Sequence, residues 1–434
     1  MRIIIALLLL LSPVGFAAVA QDDANISAMK DEVSKLVEQN SKLSQEIIDS
    51  LFSFSELAFQ EYETQRYISE ILEKNDFDVK KDVAGLPSGW WATWGSGHPV
   101  IALGTDVDGI PKSSQKPGVA YKDPLIEGAP GHGEGHNSGM ALQITAALAL
   151  QEVMKRDNIS GTIVIWPGIA EELVAGKAFL TREGYFDDVD VTLFTHVSSN
   201  LEVNWGITDG TGLISVEYTF KGESSHSAGA PWRGKSALDG VELMNAGWNA
   251  RREHLHPLQR SHYIISDGGD QPNVVPQTAS VWYYIREMTA ENILENYEKL
   301  NKTADGAALM TNTTVSHRVV GGAWPRHYNK PMAEAVNENM NAVGMPDWDE
   351  KDQVFAKAVQ VLADTEQKGL DTEIAGVRAP SEFPVSGGSD DIGDISWLVP
   401  TITLNYPANV GNLGGHNWRN TIAMATPVAH KGSL

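Results

Sequence analysis

The sequence predicts an α/β fold, a mostly parallel sheet with helices around it, interrupted by an inserted α+β domain. Three observations predict this. Four short apolar runs rich in Val, Ile, Leu and Thr each lead into an ionisable residue. Stretches of helical periodicity separate those runs, the alternation from which parallel sheets are built. Between about Ile207 and Val320 the texture changes to alternating strands with two helices, which marks a separate unit.

Along the chain, Arg2 precedes the apolar run Ile3–Leu11, and Ala18-Val19-Ala20 stands before Gln21. Residues 1–20 therefore read as a secretory signal peptide, too short and too interrupted by Pro13 and Gly15 for a membrane span, and the chain is expected to be exported, periplasmic or secreted. From Asp23 to about Lys81 the pattern is helical: Met29, Val33, Leu36 and Val37, then Leu43, Ile47, Ile48 and Leu51, recur at i, i+3/i+4. The run Pro99–Thr105 ends in Asp106-Val107-Asp108. Residues 131–139 read Gly-His-Gly-Glu-Gly-His-Asn-Ser-Gly, and Asn137 or Ser138 is expected to cap a helix Met140–Lys155. Gly161–Trp166 leads to Glu171-Glu172, and Val191–Thr195 stops at His196. The inserted unit, residues 207–321, carries the alternating runs Leu213–Phe220, Ala279–Ile285 and Thr313–Val319 and helical stretches near 234–251 and 290–304. The main fold, residues 21–206 and 322–434, resumes with a helix over Pro331–Val343. Pro400–Asn405 then leads through a Gly/Asn-rich loop to His416.

Composition narrows the function classes. A chain of 434 residues, 42% hydrophobic, can bury a large core and form two domains. It has no cysteine, so disulfides, thiolate ligands, a cysteine nucleophile and a cysteine-linked lipid anchor are excluded. With 56 acids against 33 bases and a net charge of −23, nucleic acid and anionic membrane surfaces are unsuitable partners. There is no Gly-x-Ser-x-Gly elbow, phosphate loop or dinucleotide fingerprint.

The glycine-spaced His132, Glu134 and His136 can converge on one point, and imidazole and carboxylate both bind zinc or manganese. In open α/β sheets ligands sit beyond the carboxyl ends of strands, where these acids and histidines fall. Adjacent Glu171 and Glu172 repel, so a buried pair needs a cation; one can coordinate a metal while the other takes a proton from water, the division of labour in metal-assisted hydrolysis. A solvated Gly-rich loop and an exposed acidic turn are the plain alternatives.

The ordered set Asp-x-Asp, Gly-His-Gly-x-Gly-His-Asn, Glu-Glu, Thr-His, Ser-His-Ser-Ala, Asn-Val-Val-Pro, Tyr-Ile-Arg and Gly-His-Asn-Trp resembles the metal-dependent amidohydrolases of the aminoacylase/carboxypeptidase superfamily, over about residues 45 to 430. Within it the likeness is greatest to the aminobenzoyl-glutamate hydrolases. The resemblance implies a parallel-sheet catalytic domain with a lid/dimerisation insert and two divalent ions, Zn or Mn. It implies Glu134, His136, Glu172, His196 and His416 as metal ligands, Glu171 as general base, and Asp108 as the acid that orients the cluster. Asp106 stands where distant members carry a ligand histidine. His226 is implied to reach across a dimer to assist catalysis, and Asn273 and Arg286 to hold the substrate's carboxylate or carbonyl oxygen. The implied substrate is a small amide with a carboxylate, an N-acyl or aminobenzoyl amino acid, and the implied assembly a homodimer or a pairing with a related second chain.

His132 is read as supporting a ligand, and Trp90, Trp91 and Trp94 as packing more readily than as an aromatic subsite. Two departures stand out: the family's loop cysteine is Glu134 here, and the relatives continue into a final helix after Ala429–Leu434. A carboxypeptidase or dipeptidase with the same machinery, and a metal-free exported binding protein, are the alternatives the sequence leaves open.

Overall fold

The computed structural model describes residues 13–207, 210–382, 384–385 and 387–434. Residues 1–12, most of the expected leader, lie outside the described residues. Three helices come first, α1 (Pro13–Gln39), α2 (Ser41–Phe54) and α3 (Tyr62–Lys74), and α2 buries Ile47, Ile48 and Leu51 along one face. The helical region ends at Lys74, short of the expected Lys81: Asp76 turns the chain at φ 65° and β1 (Asp78–Lys81) follows. Then come β2 (Trp90–Ser96), β3 (Val100–Asp106), α4 (Gly139–Asp157), β4 (Gly161–Gly168), α5 (Lys177–Arg182), β5 (Val191–Ser198), β6 (Glu202–Asn204) and β7 (Gly206–Ile207). A second unit holds β8 (Gly212–Lys221), α6 (Ala237–Arg251), β9 (Arg260–Asp267), β10 (Thr278–Glu287), α7 (Ala290–Thr311) and β11 (Thr314–Ala323). The chain closes with β12 (His327–Tyr328), α8 (Lys330–Val343), α9 (Glu350–Leu362), β13 (Gly376–Arg378), α10 (Ile392–Ser396), β14 (Thr401–Pro407), α11 (Trp418–Thr421) and α12 (Pro427–Gly432).

The main sheet has the order β1-β2-β4-β3-β5-β14-β6-β13. Its centre, β4-β3-β5-β14, is parallel, while β1, β2 and β6 add antiparallel pairings, so the sheet is mixed around a parallel core. Strand β4 is buried at every position, which explains its unbroken apolar run: helices cover both faces. β4 lies on one side of β3 and β5 on the other. The crevice created by that reversal, at the carboxyl ends of these strands, is where Asp106, the Glu171 turn and His196 arrive.

The helix after the glycine-rich loop starts at Gly139, and neither expected cap serves it. Ser138 Oγ donates to Gly135 O (3.0 Å), and Asn137 Nδ2 donates to Ile48 O (3.1 Å) and Met424 O (2.7 Å), tying the loop to two other segments. Gly139 is required by close approach, since a Cβ there would fall 2.0 Å from Thr105 Oγ1. Trp90 and Trp91 are buried in the main core, Trp91 against Tyr185 and Phe186, while Trp94 lies partly buried beneath Lys155.

The second sheet, β11-β8-β10-β9, is antiparallel and has its own core, with Val216, Tyr218, Phe220, Val281 and Tyr283 packed under α6 and α7. Edge strand β9 has no counterpart in the sequence expectation, because seven of its eight residues are not buried and it shows no alternation. On β10 the alternate residues Trp282, Tyr284 and Arg286 point to the opposite face from the helices. Among the described residues no helix is long and apolar enough to cross a membrane.

Candidate metal centre and substrate cleft

The glycine-rich loop folds onto the β3 exit through paired hydrogen bonds between Ile110 and Gly131. Gly135, at φ 120°, lets it reverse where a Cβ would strike Met424 Sδ. Glu134 thereby enters a ring of imidazoles. Its Oε1 is 3.5 Å from His196 Nε2, and its Oε2 is 3.0 Å from His416 Nε2 and 3.8 Å from His136 Nε2. His416 Nδ1 in turn lies 3.3 Å from Glu172 Oε2. Ligand atoms of Glu134, His136, Glu171 and Glu172 fall within 4.8 Å of one another. Two buried atoms, His136 Nε2 and Glu172 Oε1, have no hydrogen-bond partner. Buried polar atoms left orphaned cost free energy unless something outside the chain satisfies them, and these donors suit zinc or manganese. The residues present fit a pair of divalent ions.

Electrostatics agree. Burial pushes Glu172 up to about 8, with Glu134 and Asp108 adding to it against His136. Burial also holds Glu171 well above the usual carboxylate range, reinforced by Asp106 and Asp390. The hydrogen bond to Glu134 lifts His416 to about 9. For Glu134 itself burial acts upward, but the His416 hydrogen bond and the three imidazoles hold it below the ordinary range. Asp108 meets His136 (Oδ1 to Nδ1, 3.4 Å) and accepts from the Glu172 N–H (Oδ2, 3.0 Å), so it touches both the imidazole cluster and the Glu171–Glu172 turn.

Asp106 lies between two sets of partners: it comes within 4.8 Å of nitrogens of His136 and His196, and its buried Oδ2 has no hydrogen-bond partner. The fully buried Lys177 ammonium sits 2.6 Å from its Oδ1, 2.5 Å from Asp391 Oδ1 and 3.3 Å from Asp390 Oδ1, so an internal cation already engages it. His132 lies outside the ligand cluster: its Nε2 is 3.0 Å from Leu51 O, and burial lowers its pKa to about 4.

The cluster opens into a cleft of about 430 Å³ between the two sheets. Arg286 reaches it from β10, with Nη1 donating to Ser389 Oγ (2.8 Å). Arg326 joins from the segment after β11. Arg378 joins from β13, its Nε donating to Asn204 Oδ1 (2.8 Å) and its guanidinium 3.6 Å from Glu202. Only Arg286 was legible in the sequence, because Arg326, Arg378, Asn204 and Lys177 lie in stretches that carry no motif; an isolated basic residue at a strand end was the one available signal.

Residues 210–308 match the peptidase dimerisation domain of the M20 family. The chain is 32% identical over 415 residues to one of the subunits of p-aminobenzoyl-glutamate hydrolase from Escherichia coli, covering 90% of this chain and 85% of that protein. The chain belongs to the M20 family. It is 25% identical to the Xaa-Arg dipeptidase of Mus musculus, over 87% of this chain and 80% of that one. A dinuclear metal-binding M20 peptidase of Bacillus subtilis shares the fold, with a TM-score of 0.51 at 17% identity, over 90% of this chain and 98% of that one. As an M20 member the protein is a metal-dependent hydrolase of amide bonds.

The M20 fold makes the remaining expected residues informative. His226 and Asn273 come together, because Ser227 N–H donates to Asn273 O (3.0 Å) and His226 bridges Val274. Both are exposed, and neither lines the cleft. They lie beyond the Thr278 end of β10, whereas Arg286 stands near its other end, eight residues along and so roughly 26 Å away at about 3.3 Å per residue. Within one chain, Arg286 therefore lines the cleft while Asn273 and His226 lie away from it, toward the far end of β10.

Proposed function

We propose that this M20 hydrolase cleaves an N-acyl amino acid whose amino-acid half is acidic, an aminobenzoyl-glutamate-like amide. One observation carries the substrate class. Three guanidinium groups from three separate segments, Arg286, Arg326 and Arg378, line one cleft in a chain of net charge −23. The planar guanidinium fork matches carboxylates, and one carboxylate does not require three of them. Arg378 lies three strands from His196 in the order β5-β14-β6-β13, about 14 Å at strand spacing, so its side chain reaches toward a group extending from an amide held at the cluster. A dipeptide ending in arginine would set like charge against these groups.

Glu134, His136, Glu172, His196 and His416 would hold the two ions, zinc or manganese. Divalent ions held there would supply Lewis acidity for the scissile carbonyl and for water. Glu171, at the cleft floor, takes the proton of the attacking water and returns it to the leaving amine nitrogen. Asp108 holds His136 and the Glu172 amide in place. His226 from a second copy of the chain would donate to the carbonyl oxygen; its distance from Arg286 and the dimerisation-domain match support a homodimer, or a pairing with a related chain. Export is supported by Arg2, the apolar run after it and Ala18-Val19-Ala20, and amino-terminal sequencing of the mature protein should begin at Gln21.

The test is a comparison of kcat/KM for N-acyl-glutamate, N-acyl-glutamine and N-acyl-arginine. Glutamate should lead, and Arg378→Gln should narrow its advantage over glutamine by about tenfold or more, the worth of one charge-assisted hydrogen bond. Equal rates for glutamate and glutamine in the unaltered enzyme would overturn the substrate class.

A further inference from the structure

The turn carrying Glu171 and Glu172 is held in a conformation its own residues disfavour. Ala170 sits at φ 56°, ψ 37° and Val174 at φ 52°, ψ 54°, left-handed backbone that is uncommon outside glycine and an outlier for a β-branched residue. Surrounding structure must impose it. Three backbone N–H groups of this stretch end on carboxylates from three other segments: Glu172 on Asp108 Oδ2 (3.0 Å), Lys177 on Asp391 Oδ2 (2.8 Å) and Ala170 on Glu61 Oε1 (2.9 Å).

Glu61 differs from the other two. Asp108 and Asp391 also face a basic side chain, the His136 imidazole and the Lys177 ammonium. Glu61 is completely buried, and its hydrogen-bond donors are neutral: Ala170 N–H and Phe59 N–H (3.1 Å) on Oε1, and the Ser88 hydroxyl (2.6 Å) on Oε2. Phe59 is itself left-handed, at φ 62°, so one oxygen clamps two strained residues. The segment bearing Glu61 is also docked on the β3 exit, where Gly109 N–H donates to Glu56 O (2.7 Å) and Leu57 bridges Gly109. Glu61 thus connects the exit of β3, which carries Asp108, to the exit of β4, which carries Glu171.

We propose that Glu61 is a positioning residue for the hydrolytic reaction: by accepting the Ala170 N–H it fixes the left-handed residue before Glu171 and so aims that carboxylate into the cleft. This rests on Glu171 as the base. The test pairs Glu61→Asp, which keeps the carboxyl group and loses reach, with Glu61→Gln, which keeps the reach and an acceptor oxygen. Glu61→Asp should lower kcat about tenfold or more, since small misplacements of a catalytic group cost that much, while KM and metal per chain stay within about twofold. Its Ala170 amide should exchange hydrogen faster. Glu61→Gln should restore both kcat and the slow exchange.

An unchanged kcat in Glu61→Asp, a fall matched by metal loss, or an equal fall in Glu61→Gln would each overturn the proposal. Should Glu61→Asp fail to fold, Ser88→Ala loosens the same carboxylate from its other oxygen and must show the same kcat-only loss; an unchanged kcat there overturns it equally. Glu171→Gln, assayed alongside, separates the two readings: turnover surviving there removes the base assignment, whereas Ala170 exchange still reports on the Glu61 clamp.

Discussion

Two acidic clusters lie side by side beneath the cleft and are settled in opposite ways. In one, Asp106, Asp390 and Asp391 each direct an oxygen to the buried ammonium of Lys177. In the other, Glu134 faces three imidazoles, Glu171 and Glu172 gather with it around His136, and His136 Nε2 and Glu172 Oε1 are left without hydrogen-bond partners. Burial of acids alone does not mark a functional site. What separates the clusters is whether the chain brings its own cation: the first closes around Lys177, although Asp106 Oδ2 is left without a hydrogen bond, and the second, with no such cation among the described residues, stays open to an external one.

The largest expected effect falls on the open cluster. Glu171→Gln should lower kcat by about 10²–10⁴-fold, the usual contribution of a general base, with metal content by elemental analysis unchanged. In the closed cluster Lys177→Met should leave uncompensated buried carboxylates and cost about 3–5 kcal/mol in urea unfolding, a deficit relative to the unaltered protein that is the same with and without zinc or manganese. The clusters should therefore diverge under chelation. Metal at about 100 times its Kd should add about 2.7 kcal/mol to the unaltered protein, an increment absent from Glu134→Ala and retained by any folded Lys177 variant. Equal metal dependence in the two variants would erase the distinction.

The smallest effect concerns pH. Buried His132, at about 4 against an ordinary 6.5, stays neutral in the folded chain while the unfolded chain takes up a proton. Stability should fall as pH drops from 6.5 toward 4, by at most about 1.4 kcal/mol per pH unit from this group. In the metal-free protein His132→Gln should flatten that slope between pH 7.5 and 5; an identical slope would place the acid sensitivity elsewhere.

Much of this contrast was legible in the sequence, and the limits have physical reasons. Strands β3, β4 and β5 announced themselves because helices cover both faces of the sheet, so their apolar runs are unbroken. Strand ends and a glycine-rich loop placed acids and histidines at one crevice, and the family resemblance singled out Glu134, His136, Glu172, His196 and His416 among them. Strand β9 stayed hidden since an edge strand with little buried surface carries no period. Lys177 and Arg378 were invisible for a different reason: their meaning comes from partners over 70 and over 170 positions away, Asp106 and Asn204, and no local pattern encodes such a meeting. Asn137 looked like a helix cap and instead stitches α2 to the segment before α12, a choice that only tertiary packing decides.

The ring around Glu134 has one more implication, which concerns durability. Its side chains offer carboxylate oxygen and imidazole nitrogen, in a chain without a single cysteine. Peroxides disable thiolate-bearing centres by driving sulfur through sulfenic to sulfinic acid, which few cells can reverse. No such ladder exists here. A hydrolase whose ions sat in such a ring would be disarmed by sequestering them, not by burning its ligands.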